Sequence, residues 1–73
     1  MNEKSYCIIT VNQLNNRYIP QELSFKDYAT ACAFFVDCCK YDKCVHCEFY
    51  EIGENNSYCD LIAMGDYSIV EFY

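Results

Sequence analysis

Residues 44–73 read CVHCEFYEIGENNSYCDLIAMGDYSIVEFY, and the reading of this stretch decides the fold. Short runs rich in aromatic and β-branched residues are broken by Gly53-Glu54-Asn55-Asn56 and by Gly65-Asp66, which predicts three strands at roughly 44–52, 57–64 and 67–73. Gly65-Asp66 reads as a two-residue hairpin turn with Gly in the first central position. That turn sets Met64 opposite Tyr67, Ile62 opposite Ile69, Asp60 opposite Glu71 and Tyr58 opposite Tyr73. A tight connection at 53–57 sets Tyr50 beside Asp60 and Phe49 beside Leu61. One face then collects Cys47, Phe49, Cys59, Leu61, Ala63, Val70 and Phe72, with Glu51 near its end and Ser68 near the turn, and should pack on a helix. The other collects His46, Glu48, Tyr50, Tyr58, Asp60, Ile62, Ile69, Glu71 and Tyr73.

Upstream, Tyr6–Val11 alternates, Asn15-Asn16 supplies a turn because Asn tolerates left-handed backbone, and Tyr18–Leu23 follows, which predicts a first hairpin. Pro20 lacks a ladder donor, so this second strand should be short and lie at an edge. Ser24-Phe25-Lys26-Asp27 resembles a capping box with Ser24 as N-cap, opening a helix over roughly 25–40. The helix carries one narrow polar stripe. Phe25, Tyr28, Ala29, Cys32, Phe35, Val36 and Cys39 form a broad apolar face, and Ala31, Phe34, Cys38 and Tyr41 form a flank beside it. Since one sheet covers one side, the flank either tucks under the N-terminal connection or forms a seam for a second copy or partner. The expected fold is α+β, ββαβββ, one helix on an antiparallel sheet, as a single compact domain over residues 1–73.

Charge is lopsided. Residues 1–43 hold five acids and five bases, whereas residues 44–73 hold Glu48, Glu51, Glu54, Asp60, Asp66 and Glu71 and no Lys or Arg, which accounts for the net charge of −6. Affinity for a phosphate backbone comes from basic residues that release counterions, so direct nucleic-acid binding is not expected. The 53% hydrophobic share sets the chain apart from a disordered acidic tail. The first apolar run is too short for a secretory signal and nothing is long enough to span a membrane, so a cytoplasmic location is expected, with the seven cysteines as thiols.

Three clusters invite chemical readings. Cys38, Cys39, Cys44, His46 and Cys47 fall within ten residues and are of zinc-ligand type, with Cys38, Cys44 and His46 the candidate set. Against this, a strand over 44–52 points Cys44 and Cys47 to opposite faces, and Cys7, Cys32, Cys39, Cys47 and Cys59 read as small buried hydrophobes. Cys44 and His46, two apart on one strand face, have the spacing of a nucleophile and its base, but no glycine-rich turn or helix start follows to supply oxyanion donors. Glu48, Asp60 and Glu71 could be paired acids for hydrolysis or calcium, but a flat sheet face offers no cleft to desolvate one of them. No enzyme activity and no cofactor are expected.

The reading that uses acids, tyrosines and small size together is a non-catalytic inhibitor whose Glu48, Tyr50, Tyr58, Asp60, Glu71 and Tyr73 dock on the basic groove of a nucleic-acid-binding protein. The alternatives are a small dimeric structural or assembly protein using Ala31, Phe34, Cys38 and Tyr41, and a zinc-stabilised module. In size, negative charge and lack of enzymatic motifs, the chain resembles small phage-encoded anti-defence proteins of the anti-CRISPR and anti-restriction type, the DNA-mimic class. The likeness is one of class and carries over no residue. It implies occupation of a nuclease's nucleic-acid or target-recognition site, in the host cytoplasm, without catalysis.

Overall fold

The computed structural model describes residues 4–53 and 58–73, and the side chains of all of these except Tyr58 and Cys59. The fold is α+β: one helix lies on a five-stranded antiparallel sheet. The elements run β1 (Ser5–Leu14), β2 (Arg17–Phe25), α1 (Tyr28–Cys38), β3 (Cys44–Ile52), β4 (Tyr58–Gly65) and β5 (Val70–Phe72), and the sheet order is β2-β1-β3-β4-β5.

The first hairpin turns at Asn15 and Asn16, whose φ values of 51° and 64° are the left-handed pair that a two-residue turn requires. β2 is an edge strand, as Pro20 indicates, but nine residues long rather than short. The ladder explains this. Leu14 pairs with Arg17 across the turn, and antiparallel pairs alternate between bonded and non-bonded, so Pro20 opposite Val11 turns its nitrogen away from β1 and costs the hairpin no donor.

The helix starts later than the capping box suggests. Asp27, not Ser24, is the N-cap, its carboxylate accepting from the Thr30 backbone N–H at 2.9 Å and from the Thr30 hydroxyl at 2.8 Å. Ser24 and Phe25 stay in β2, where Phe25 pairs with Tyr6 and its ring lies 5.2 Å from that of Phe34. The helical flank is therefore covered from within the chain. Ala31 is fully buried, Phe34 and Cys38 pack against the core, and only Tyr41, past the helix end, is exposed. The seam expected of Ala31, Phe34, Cys38 and Tyr41 does not form a continuous open surface.

The core lies between α1 and the central strands: Ile8, Ala31, Phe35, Cys39, Cys44, Cys47, Phe49 and Ala63. Phe35 anchors it, with ring centroids 5.8 Å from Phe49 and 5.7 Å from Phe72.

Two departures from the expected register decide which side chains share a face. Gly65 pairs with Val70 and Met64 with Glu71, so residues 66–69 make a four-residue turn in place of the two-residue one. Asp66 Oδ1 accepts from the Ser68 N–H (2.8 Å), the Ser68 hydroxyl (2.9 Å) and the Ile69 N–H (3.1 Å), which closes the turn. The shift is even, so Glu71 and Tyr73 keep their face. Between β3 and β4 the register instead slips by single residues, once between Phe49 and Tyr50 and again between Glu51 and Ile52. Each bulge inverts the facing of the residues beyond it. Leu61 thus pairs with Tyr50, Asp60 with Glu51 and Tyr58 with Ile52, while Ile62 packs against the core. Asp60 does not face Glu71; it sits beside Glu51 on the helix side, where Lys4 reaches Glu51 at 3.3 Å.

Candidate functional site: the outer sheet face

Of the expected site residues, Glu48, Tyr50, Glu71 and Tyr73 lie on the face turned away from the helix, and Asp60 does not. His46, Glu48 and Tyr50 lie along β3, with Glu48 accepting from Tyr50 Oη at 3.1 Å and sitting 3.0 Å from His46 Nε2. Burial, then the neighbouring Glu48, pushes the Tyr50 hydroxyl above its ordinary pKa of 10.0, so it remains a donor to that carboxylate. Just past the end of β5, Tyr73 Oη donates to Glu71 at 3.4 Å. Each acid is thereby paired with a tyrosine two residues on, the spacing at which strand side chains share a face. The side chain of Tyr58 lies outside the described residues.

Across the strands, the registers join into one row. Glu22 pairs with Ile9, Ile9 with Glu48, Glu48 with Met64 and Met64 with Glu71. The row runs acid, apolar, acid, apolar, acid over all five strands. At the usual strand spacing the carboxylates stand about 10 Å apart and about 19 Å end to end. Glu22 takes the place expected of Asp60. A shallow groove of about 240 Å³ opens at the β4–β5 end of the row among His46, Met64, Ile69, Glu71 and Tyr73. No Lys or Arg from β3, β4 or β5 reaches this face, because those strands contain none.

The cysteines lie mostly on the other side. Cys44 and Cys47 do not point to opposite faces: the β1–β3 pairing slips between Val11 and Asn12, and both thiols enter the core. Cys38 and Cys39 at the helix end meet them there, around Thr10, whose hydroxyl is 3.6 Å from Cys44 Sγ. Burial raises the pKa of Cys38, Cys39 and Cys47, reinforced in each case by neighbouring thiols, with Cys39 pushed up to about 11. Among the described residues, no group of three or more His, Cys, Asp or Glu is placed to hold a metal ion. The Cys38, Cys44 and His46 set is not brought together, since the His46 ring pairs with Glu48 on the outer face while Cys44 donates inward to the His46 carbonyl at 3.6 Å. The same separation removes Cys44 and His46 as a nucleophile and its base. Among the described residues, no helix is long and apolar enough to cross a membrane.

Glu22 is the functional candidate that the sequence reading misses, although part of its signal is present there. A two-residue turn at Asn15-Asn16 already pairs Ile9 with Glu22; what the sequence does not show is β1 lying beside β3. No family model, curated protein or solved structure matches the chain.

Proposed function

We propose that this is a non-catalytic binding protein that lays its outer sheet face on a basic surface of a nucleic-acid-handling protein and blocks it, in the manner of anti-CRISPR or anti-restriction inhibitors. The observation that carries the reading is the row Glu22, Glu48 and Glu71, with Tyr50 and Tyr73 hydrogen-bonded beside two of its acids. Hydrogen bonds and strand pairing hold these groups at fixed spacing, which lowers the ordering cost of binding. Tyr supplies stiff contact area around each charge. With Asp60 turned to the helix side, the face is a spaced row of acids and not a dense copy of a phosphate backbone. It therefore suits a protein surface with separated Lys or Arg residues. The cytoplasm is the compartment this reading assigns.

The test is capture from a bacterial lysate at low and high salt, followed by nucleic-acid binding assays on the captured protein. The expected result is a nucleic-acid-binding protein that is released by salt, and that loses its nucleic acid when the chain is added. The Glu22→Gln, Glu48→Gln, Glu71→Gln triple variant should neither capture nor compete. A captured protein that keeps its nucleic acid, or that the triple variant captures equally well, would refute the proposal.

A further inference from the structure

The sheet has two edges, β2 and β5, and they differ in how they treat their unpaired backbone. β2 is blunted in the usual way: Pro20 sits mid-strand with its nitrogen on the open side, and Arg17 and Glu22 carry charge along it. β5 has neither Pro nor Lys. Tyr73 N–H donates to the Ile62 carbonyl at 2.8 Å and Asp66 N–H to the Ile69 carbonyl at 2.8 Å, so Ile69, Glu71 and Tyr73 turn their backbone toward β4. By alternation, the N–H and C=O groups of Val70 and Phe72 point outward. Side chains on both faces of this edge are exposed and largely apolar: Val70 and Phe72 (43% and 49%) on the helix side, Ile69 and Tyr73 (59% and 67%) on the outer side.

An open edge with apolar side chains above and below is the geometry of strand addition, in which backbone bonds give affinity and alternate side chains give selectivity. Charge decides the occupant. Glu71 is the charged residue of β5, the acid row ends on it, and residues 44–73 contain no Lys or Arg to meet a second acid. A second copy of this chain would bring another net charge of −6 against it. We infer that the β5 edge takes an extended basic segment of a protein partner as a sixth strand, with a Lys or Arg of that segment over Glu71. This rests on the outer face being a docking surface for a basic protein, and specifies how the contact is made.

The probe is a peptide blocked at both ends, Lys-Val-Arg-Val-Lys-Val-Arg, compared with its counterpart carrying Glu at every basic position, titrated into the isotopically labelled chain and followed by NMR. The inference expects the basic peptide to bind at least about tenfold tighter than the acidic one. It also expects slowed hydrogen exchange at the Val70 and Phe72 amides. Val70→Pro removes one outward donor without touching the β4 ladder and should weaken binding about tenfold or more at unchanged circular dichroism. Glu71→Lys leaves the backbone intact and should reverse the preference between the two peptides, which decides the matter if Val70→Pro does not fold. Binding undiminished by Val70→Pro, with no protection at Val70 or Phe72, overturns the strand addition. If Glu22→Gln and Glu48→Gln still weaken that binding, the outer-face reading survives alone, whereas no binding of the basic peptide overturns both. A dimer in sedimentation that Val70→Pro dissociates would show that the edge serves a second copy, and would also overturn the inference.

Discussion

At the scale of single residues, the buried thiols set a limit on the fold at alkaline pH. Cys38, Cys39 and Cys47 have folded pKa values above the ordinary 9.0 because burial and then neighbouring sulfur charges disfavour the thiolate. In the unfolded chain they ionise near 9, so above that pH the unfolded state binds fewer protons and stability falls with rising pH. The contribution is fully present below pH 9 and is lost as pH climbs through the folded value, about 11 for Cys39. The urea midpoint should drop between pH 7.5 and 10. Cys47→Ala should show a smaller drop relative to its own midpoint at pH 7.5. An equal drop in both proteins would show that the Cys47 thiol contributes nothing to the alkaline loss of stability. Asp27 and Asp66 work in the opposite direction: bonds from Thr30 and from Ser68 hold their carboxyls below the ordinary 3.8, so helix cap and turn persist down to that range and loosen below it.

At the scale of elements, the connection between β4 and β5 depends on a residue with no side chain. Gly65 does not adopt positive φ, so it is not there for the backbone freedom that a two-residue turn would need. It is there for space: a Cβ would lie 2.4 Å from the Ile69 carbonyl oxygen and 3.3 Å from Cys39 Sγ. Gly65→Ala should destabilise the chain by about 2 kcal/mol through forced displacement of the turn, read from the urea midpoint. A change within about 0.5 kcal/mol would mean that the 66–69 turn yields freely. The elements themselves were legible in the sequence because each left a local signal: Asn15-Asn16 for the first turn, apolar alternation for β1, an aromatic and β-branched run ending at Gly53 for β3, Pro20 for an edge. The bulges were not. Leu61 and Ile62 are both large and apolar, so the pattern reads equally well with either one inward, and the choice is made by packing against Phe49 and the helix. That ambiguity is what misplaced Asp60. Likewise, Ser24 and Asp27 are both good caps, and the pairing of Phe25 with Tyr6 settles which one is used.

At the scale of the whole molecule, the helix and the sheet divide the chemistry between two sides. The helix side takes up the phenylalanine rings and most of the described thiols, leaving the acids of the outer face to be spaced by the ladder rather than by chance. Net charge alone would attract basic partners over long distances and would respond to salt whichever carboxylates were removed. Binding through a row of fixed acids depends instead on which carboxylates are removed. The most direct measurement is therefore the affinity of a basic partner or peptide for two triple variants of equal charge change, Glu22→Gln, Glu48→Gln, Glu71→Gln against Asp37→Asn, Asp42→Asn, Asp60→Asn, at one salt concentration. The row predicts that the first set loses about tenfold or more while the second stays within about twofold of the parent chain; equal losses in both sets would contradict it.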